Sequence, residues 1–184
     1  MAENTKDEQE LVSRLRQPQT ARSAFNEVIR RYSEPLYHQI RRMVQNHDDA
    51  SDLLQNTFLK AWQNLEYFRG DARLSTWLYK IAVNESLSFL ARERKRYAMS
   101  LDDQESALAN MIEADSYFDG DAAAELLRKA VVTLPEKQRL VFNMKYYDEM
   151  KYEEISEILG TSVGALKASY HLAVKKIEKY IYNR

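Results

Sequence analysis

Residues 154–177 read EISEILGTSVGALKASYHLAVKKI, and this stretch decides the architecture. Ile155, Ile158 and Leu159 give its first part an apolar stripe at helical spacing. Gly160 then interrupts it, being the residue for which a left-handed backbone is cheapest. Thr161 or Ser162 can cap a second helix by accepting a hydrogen bond from an otherwise unpaired N–H. In that helix Val163, Leu166, Tyr170, Ala173, Ile177 and Ile181 share one face, recurring every three or four residues. The opposite face carries Ala165, Lys167, Ala168, Ser169, His171, Lys175 and Lys176. Small side chains permit close approach and lysines favour an anion. The pair therefore reads as a helix-turn-helix, whose second helix enters a DNA major groove. An ordinary helical corner with a solvated lysine face shares the pattern, so the rest of the chain must decide.

The chain has 184 residues, 45% hydrophobic and 30% charged, with only 4 Gly and 3 Pro. Strand-like alternation is absent and helical periodicity recurs, so the predicted class is all-α. The absence of cysteine excludes disulfides, thiol chemistry and Cys-based zinc sites, and fits a reducing compartment. The opening MAENTKDEQE is polar and acidic rather than a signal peptide, and no apolar run approaches a membrane span; the expected location is cytoplasmic. The net charge of −1 conceals an uneven distribution: +3 over 1–96, −8 over 97–127 and +4 over 128–184. Two mildly basic blocks around an acidic one predict two small helical domains joined by an acidic linker.

In the first block, Phe25, Ile29, Tyr32, Leu36, Ile40 and Met43 predict one amphipathic helix that Pro35 bends or restarts. A second helix turns Leu54, Phe58, Ala61, Trp62 and Leu65 inward and Asp52, Gln55, Asn56 and Lys60 outward. A third, capped by Ser75 or Thr76, packs through Leu78, Ile81 and Leu87 and ends in the basic run 92–96. Between the second and third lies EYFRGDARLSTW (66–77), where Phe68 and Trp77 are interleaved with Arg69 and Arg73. Single-stranded nucleic acid suits that mixture. Bases stack on aromatic rings, at about 1–3 kcal/mol each, while cations follow the phosphates. Plugging the core is the competing role for both rings, and the better one for Trp77.

Four segments occur in order: DLLQNTFLKAW (52–62), FRGDARLSTWLYKIAVN (68–84), LPEKQRLVF (134–142) and YEEISEILGTSVGALK (152–167), with the acidic stretch between the second and third. Together they resemble bacterial RNA polymerase sigma factors of the sigma-70 family, extracytoplasmic-function subfamily, over about residues 20–182. GALKASYHLAVKKIEKYI (164–181) is similar to Bacteroidetes-type members. The resemblance implies an N-terminal segment at 1–21, sigma region 2 at 22–96, the acidic linker at 97–121 and sigma region 4 at 122–184. It implies a protein without cofactor, metal or active site that binds core RNA polymerase and directs initiation at promoters. Asp52, Gln55 and Asn56 match the surface that docks on the β′ clamp helices, with Asn56 standing where glutamate is usual; the β subunit is a further polymerase contact. Phe68, Arg69, Arg73, Lys80 and Asn84 match the part that reads the melted −10 strand. Tyr152, Ser162, Lys167, Ala168, His171 and Lys175 match the −35-reading surface, while Ser169, Leu172 and Val174 replace arginines found in many relatives. The family further implies a monomer when free and an anti-sigma factor, often membrane-bound, as partner.

A dimeric helix-turn-helix regulator is the alternative, distinguished by dimerisation and a palindromic site. An enzyme is disfavoured, because His38, His47 and His171 are scattered and no HExxH motif or phosphate-cradling glycine loop occurs.

Overall fold

The computed structural model describes residues 2–68, 70, 72–99 and 122–183. Arg69 and residues 100–121 of the acidic stretch lie outside the described residues. Among those described are eight α-helices and no strand: α1 (Ala2–Leu15), α2 (Ala21–Val44), α3 (His47–Gln63), α4 (Leu74–Met99), α5 (Ala122–Val132), α6 (Glu136–Tyr146), α7 (Tyr152–Leu159) and α8 (Val163–Tyr182). A 3₁₀ turn, Leu65–Tyr67, follows α3.

The first four helices form a bundle in which α2, α3 and α4 pack on one another and α1 packs on α2. Pro35 does not restart α2, which runs unbroken from Ala21 to Val44. A proline inside a helix costs about 3 kcal/mol. Val28, Leu36 and Ile40 on either side of it are fully buried, each worth about 1.5–3 kcal/mol. Burial therefore outweighs the break. Gln45 closes α2 in the left-handed region, and Asn46 caps α3 by accepting from Asp48 N–H and Asp49 N–H at 2.8 and 3.1 Å. Trp62, expected inward, is 42% exposed; its ring lies 5.0 Å from that of Phe25 on the outer wall.

In the second group, α5 and α6 pack on α8 around Ala130, Val131, Leu134, Phe142, Ala173 and Ile177. The two groups are also packed together. Leu140, Val141 and Met144 of α6, Ile155 and Ile158 of α7, and Leu166 of α8 join the core of the first bundle. The seam is otherwise polar. Arg42 pairs with Asp148, Arg73 with Glu154 at 3.1 Å and Arg94 with Glu136 at 2.7 Å. Asn143, fully buried, donates to the Arg42 carbonyl at 3.5 Å. Asn143 Oδ1, Arg42 Nε and Asp148 Oδ2 are buried there without a hydrogen-bond partner.

Candidate polymerase and nucleic-acid surfaces

Three surfaces carry the predicted site residues. The first is the outer face of α3. Asp52, Gln55 and Asn56 are all exposed on it, held by a helix whose Ala50, Leu53, Thr57, Phe58 and Ala61 are buried. Its N-terminal turn is acidic. Partial burial, with Glu93, Asp48 and Asp52 nearby, holds the Asp49 carboxyl above its ordinary range. Leu59 continues the 52, 55, 56 row one turn on and is 55% exposed. Sequence periodicity missed it as a surface residue; its place at the heptad-like step from Asp52 was the available signal.

The second surface surrounds the start of α4. Phe68, expected to offer a stacking face, is buried, its ring 4.9 Å from that of Trp77. The 3₁₀ turn reverses the chain so that the preceding aromatic, Tyr67, faces outward at 70% exposure. Arg73 is exposed but ion-paired with Glu154 of α7. Lys80 and Asn84 are exposed one turn apart on α4. Asn84 lines a shallow pocket of about 320 Å³ with Lys60, Asn64, Tyr67, Trp77 and Glu85. Lys60 there bridges to Glu85 at 2.5 Å. An exposed ring beside two amides offers stacking and hydrogen bonding to one planar group. The structure thus brings Asn84 together with Tyr67, rather than with Phe68.

The third surface is the α7–α8 pair. Gly160 takes φ +62° and its N–H donates to Ser156 O at 2.9 Å, ending α7. Ser162 caps α8, its hydroxyl accepting from Ala165 N–H at 3.4 Å. Leu166, Ala173 and Ile177 are buried, whereas Lys167, Ala168, His171 and Lys175 are exposed along one continuous strip. Leu172 is exposed as well, while Val174 packs into the second core. Tyr152 lies under this strip, with the ammonium groups of Lys145 and Lys167 5.2 and 5.7 Å from its ring centroid. Such cation–π contacts hold both lysines near the helix. The product is a narrow convex helix face, small at its start and cationic along its length.

No group of His, Cys, Asp or Glu able to hold a metal occurs among the described residues. No described helix is long and apolar enough to cross a membrane.

Residues 28–96 match the family model Sigma-70 region 2, and residues 124–177 match Sigma-70, region 4. The chain is 30% identical over 173 residues to the ECF RNA polymerase sigma-E factor of Escherichia coli K12, covering 86% of each. It is 29% identical over 166 residues to the ECF RNA polymerase sigma factor SigW of Bacillus subtilis strain 168, covering 86% of this chain and 89% of SigW. The fold is similar to that of RpoE from Bartonella quintana, solved with the anti-sigma factor NepR, with a TM-score of 0.71 at 24% identity over 86% of this chain and 96% of that one. It is also similar to CnrH, solved with the cytosolic domain of CnrY, with a TM-score of 0.68 at 21% identity over 96% and 97%.

Proposed function

We infer the division of labour among these surfaces from one premise: the chain belongs to the extracytoplasmic-function sigma factors of the sigma-70 family. It directs promoter-specific initiation of transcription. The dimeric regulator is not favoured, since region 2 and region 4 both match within one chain. The subunit has no active site of its own and lends sequence choice to the polymerase. Residues 164–181 support the finer, Bacteroidetes-type reading.

In this reading the α3 face, Asp52, Gln55 and Asn56 extended by Leu59, docks on the β′ clamp helices. Tyr67, Arg73, Lys80 and Asn84 meet the separated −10 strand. The α8 strip enters the −35 major groove, where Lys167 can donate to guanine O6 and N7 and His171 to an acceptor edge. The exposed α8 strip over a buried Leu166–Ala173–Ile177 seam is the observation that carries this reading. An anti-sigma factor covering these surfaces is the expected regulator, in line with the same fold in RpoE with NepR and CnrH with CnrY.

The reading has a geometric consequence. Elements at −35 and −10 lie about 25 base pairs apart, about 85 Å along B-form DNA. A compact chain of this length has a radius of gyration of about 16 Å. Arg73 lies 3.1 Å from Glu154 of α7, so the packed arrangement cannot serve both elements at once. The seam between the two helix groups must open for initiation.

The test is a pair of double variants assayed for core binding and for promoter melting. Asp52→Ala with Gln55→Ala should abolish core binding; Lys80→Ala with Asn84→Ala should spare it and reduce melting. Equal loss of both activities in both pairs would defeat the assignment.

A further inference from the structure

We propose that Glu8 of α1 is a positioning residue for promoter opening, fixing the start of α4 and hence the loop that meets the separated strand. The proposal rests on the −10 reading above. Helix α1 lies outside both matched family regions, so neither assigns it a role.

The start of α4 is held from a distance. Its first residue, Leu74, donates its N–H to Glu8 Oε1 at 2.6 Å, across 66 positions of sequence. Ser75 and Thr76, the expected local caps, instead fall inside the first turn. A side-chain oxygen at this end satisfies an N–H with no partner within the helix.

Glu8 is presented on an anchored element. Leu11 and Leu15 of α1 are 1% and 4% exposed in the main core. Arg14 pairs with Glu27 of α2 at 2.9 Å, and Thr20 returns a hydrogen bond to Arg14 O at 2.7 Å. Just past the end of α1, Arg16 closes on the same loop from its other end. A Cβ on Gly70, whose φ is +77°, would lie 2.8 Å from the Arg16 guanidinium. Helix α1 and the residue that follows it therefore meet the loop at Leu74 and at Gly70, on either side of Arg73. An open cleft of about 660 Å³ separates these contacts, and Arg73 lies on its wall. A functional group set between two fixed points keeps its geometry better than one on a free loop.

The experiment uses the full-length protein assembled with core polymerase, on a promoter that the wild type opens. The readouts are permanganate reactivity of −10 thymines, core binding and thermal unfolding. Glu8→Ala removes the acceptor and raises helix propensity, so α1 itself is not weakened. Glu8→Gln keeps an acceptor oxygen, and Asp7→Ala removes a neighbouring exposed charge as a control. We expect Glu8→Ala to lower the open fraction about fivefold, the effect of losing one helix cap. Glu8→Gln should recover it to within about twofold by keeping that bond, Asp7→Ala should open normally, and core binding should be unchanged throughout. Normal opening by Glu8→Ala would overturn the proposal. So would equal defects in Glu8→Ala and Glu8→Gln, because charge rather than an accepted hydrogen bond would then matter. An equal opening defect in Arg14→Ala, which loosens α1 from Glu27 and leaves the Glu8–Leu74 bond in place, would likewise reduce Glu8 to a structural role. If the wild type opens no promoter with core polymerase, the sigma reading fails, and this proposal fails with it.

Discussion

Tyr67 and Phe68 are sequence neighbours with opposite environments, 70% and 7% exposed. We predict that Tyr67→Ala reduces −10 strand binding, by up to the 1–3 kcal/mol of about one stacked base. Its stability should change by no more than about 0.5 kcal/mol, as is usual for an exposed site. Phe68→Ala should instead cost about 3–5 kcal/mol of stability, read from urea unfolding, because it empties a buried ring site against Trp77. The reverse pattern would restore Phe68 as the stacking ring. On α3, Leu59→Ala should weaken core binding without lowering the unfolding temperature, since Leu59 is 55% exposed. The sequence shows that this loop is aromatic and cationic. Which ring turns inward depends on a three-residue 3₁₀ turn, and no periodicity records that choice.

At the scale of elements, the α7–α8 pair was legible because its determinants are local. Gly160 takes the left-handed conformation at the position where the apolar stripe breaks, and Ser162 caps the helix that follows. A Cβ at Gly160 would meet nothing within 4 Å, so substitution there carries backbone strain alone. Gly160→Ala should therefore cost about 1–2 kcal/mol, measured by thermal or urea unfolding. Lys175→Ala should make the logarithmic salt dependence of holoenzyme binding to a −35 duplex shallower by about 1. Lys167→Ala should instead cost about 1–3 kcal/mol of binding and relax the preference for guanine. An unchanged slope would mean that Lys175 touches no phosphate, and an unchanged base preference that Lys167 reads no guanine. By contrast, the start of α4 was misread, because its N–H partner belongs to α1 and local cap residues were present to mislead. The restart expected at Pro35 fails for a related reason. Local propensity allows a break, but α2 runs through it with buried residues on both sides.

For the whole molecule, two helix groups and their order follow from periodicity and charge, whereas their packing does not. Arg42 and Asp148 are 106 positions apart, and nothing local links them. Their contact also makes the seam sensitive to pH. Burial pushes the Asp148 carboxyl from 3.8 up to about 6, with the Arg42 guanidinium offsetting only part of the shift. Tyr79 of α4 faces the same carboxylate, and burial pushes its phenol up as well. The packed state therefore binds a proton more tightly than a separated state with solvated Asp148. Packing should strengthen as pH falls from above 6 towards 4 and weaken as pH rises through 6. Fluorescence transfer between labels on α3 and α8 should follow that trend in the free protein, and Asp148→Asn should flatten it. A trend of opposite sign would show that the ion pair, rather than the burial, governs the seam. The most direct test of the central claim is runoff transcription with bacterial core polymerase on genomic promoter fragments, with and without this protein. Discrete start sites that require the protein, each preceded by shared −10 and −35 sequences, are the predicted result. Absence of protein-dependent transcripts, together with no binding to core polymerase, would contradict it.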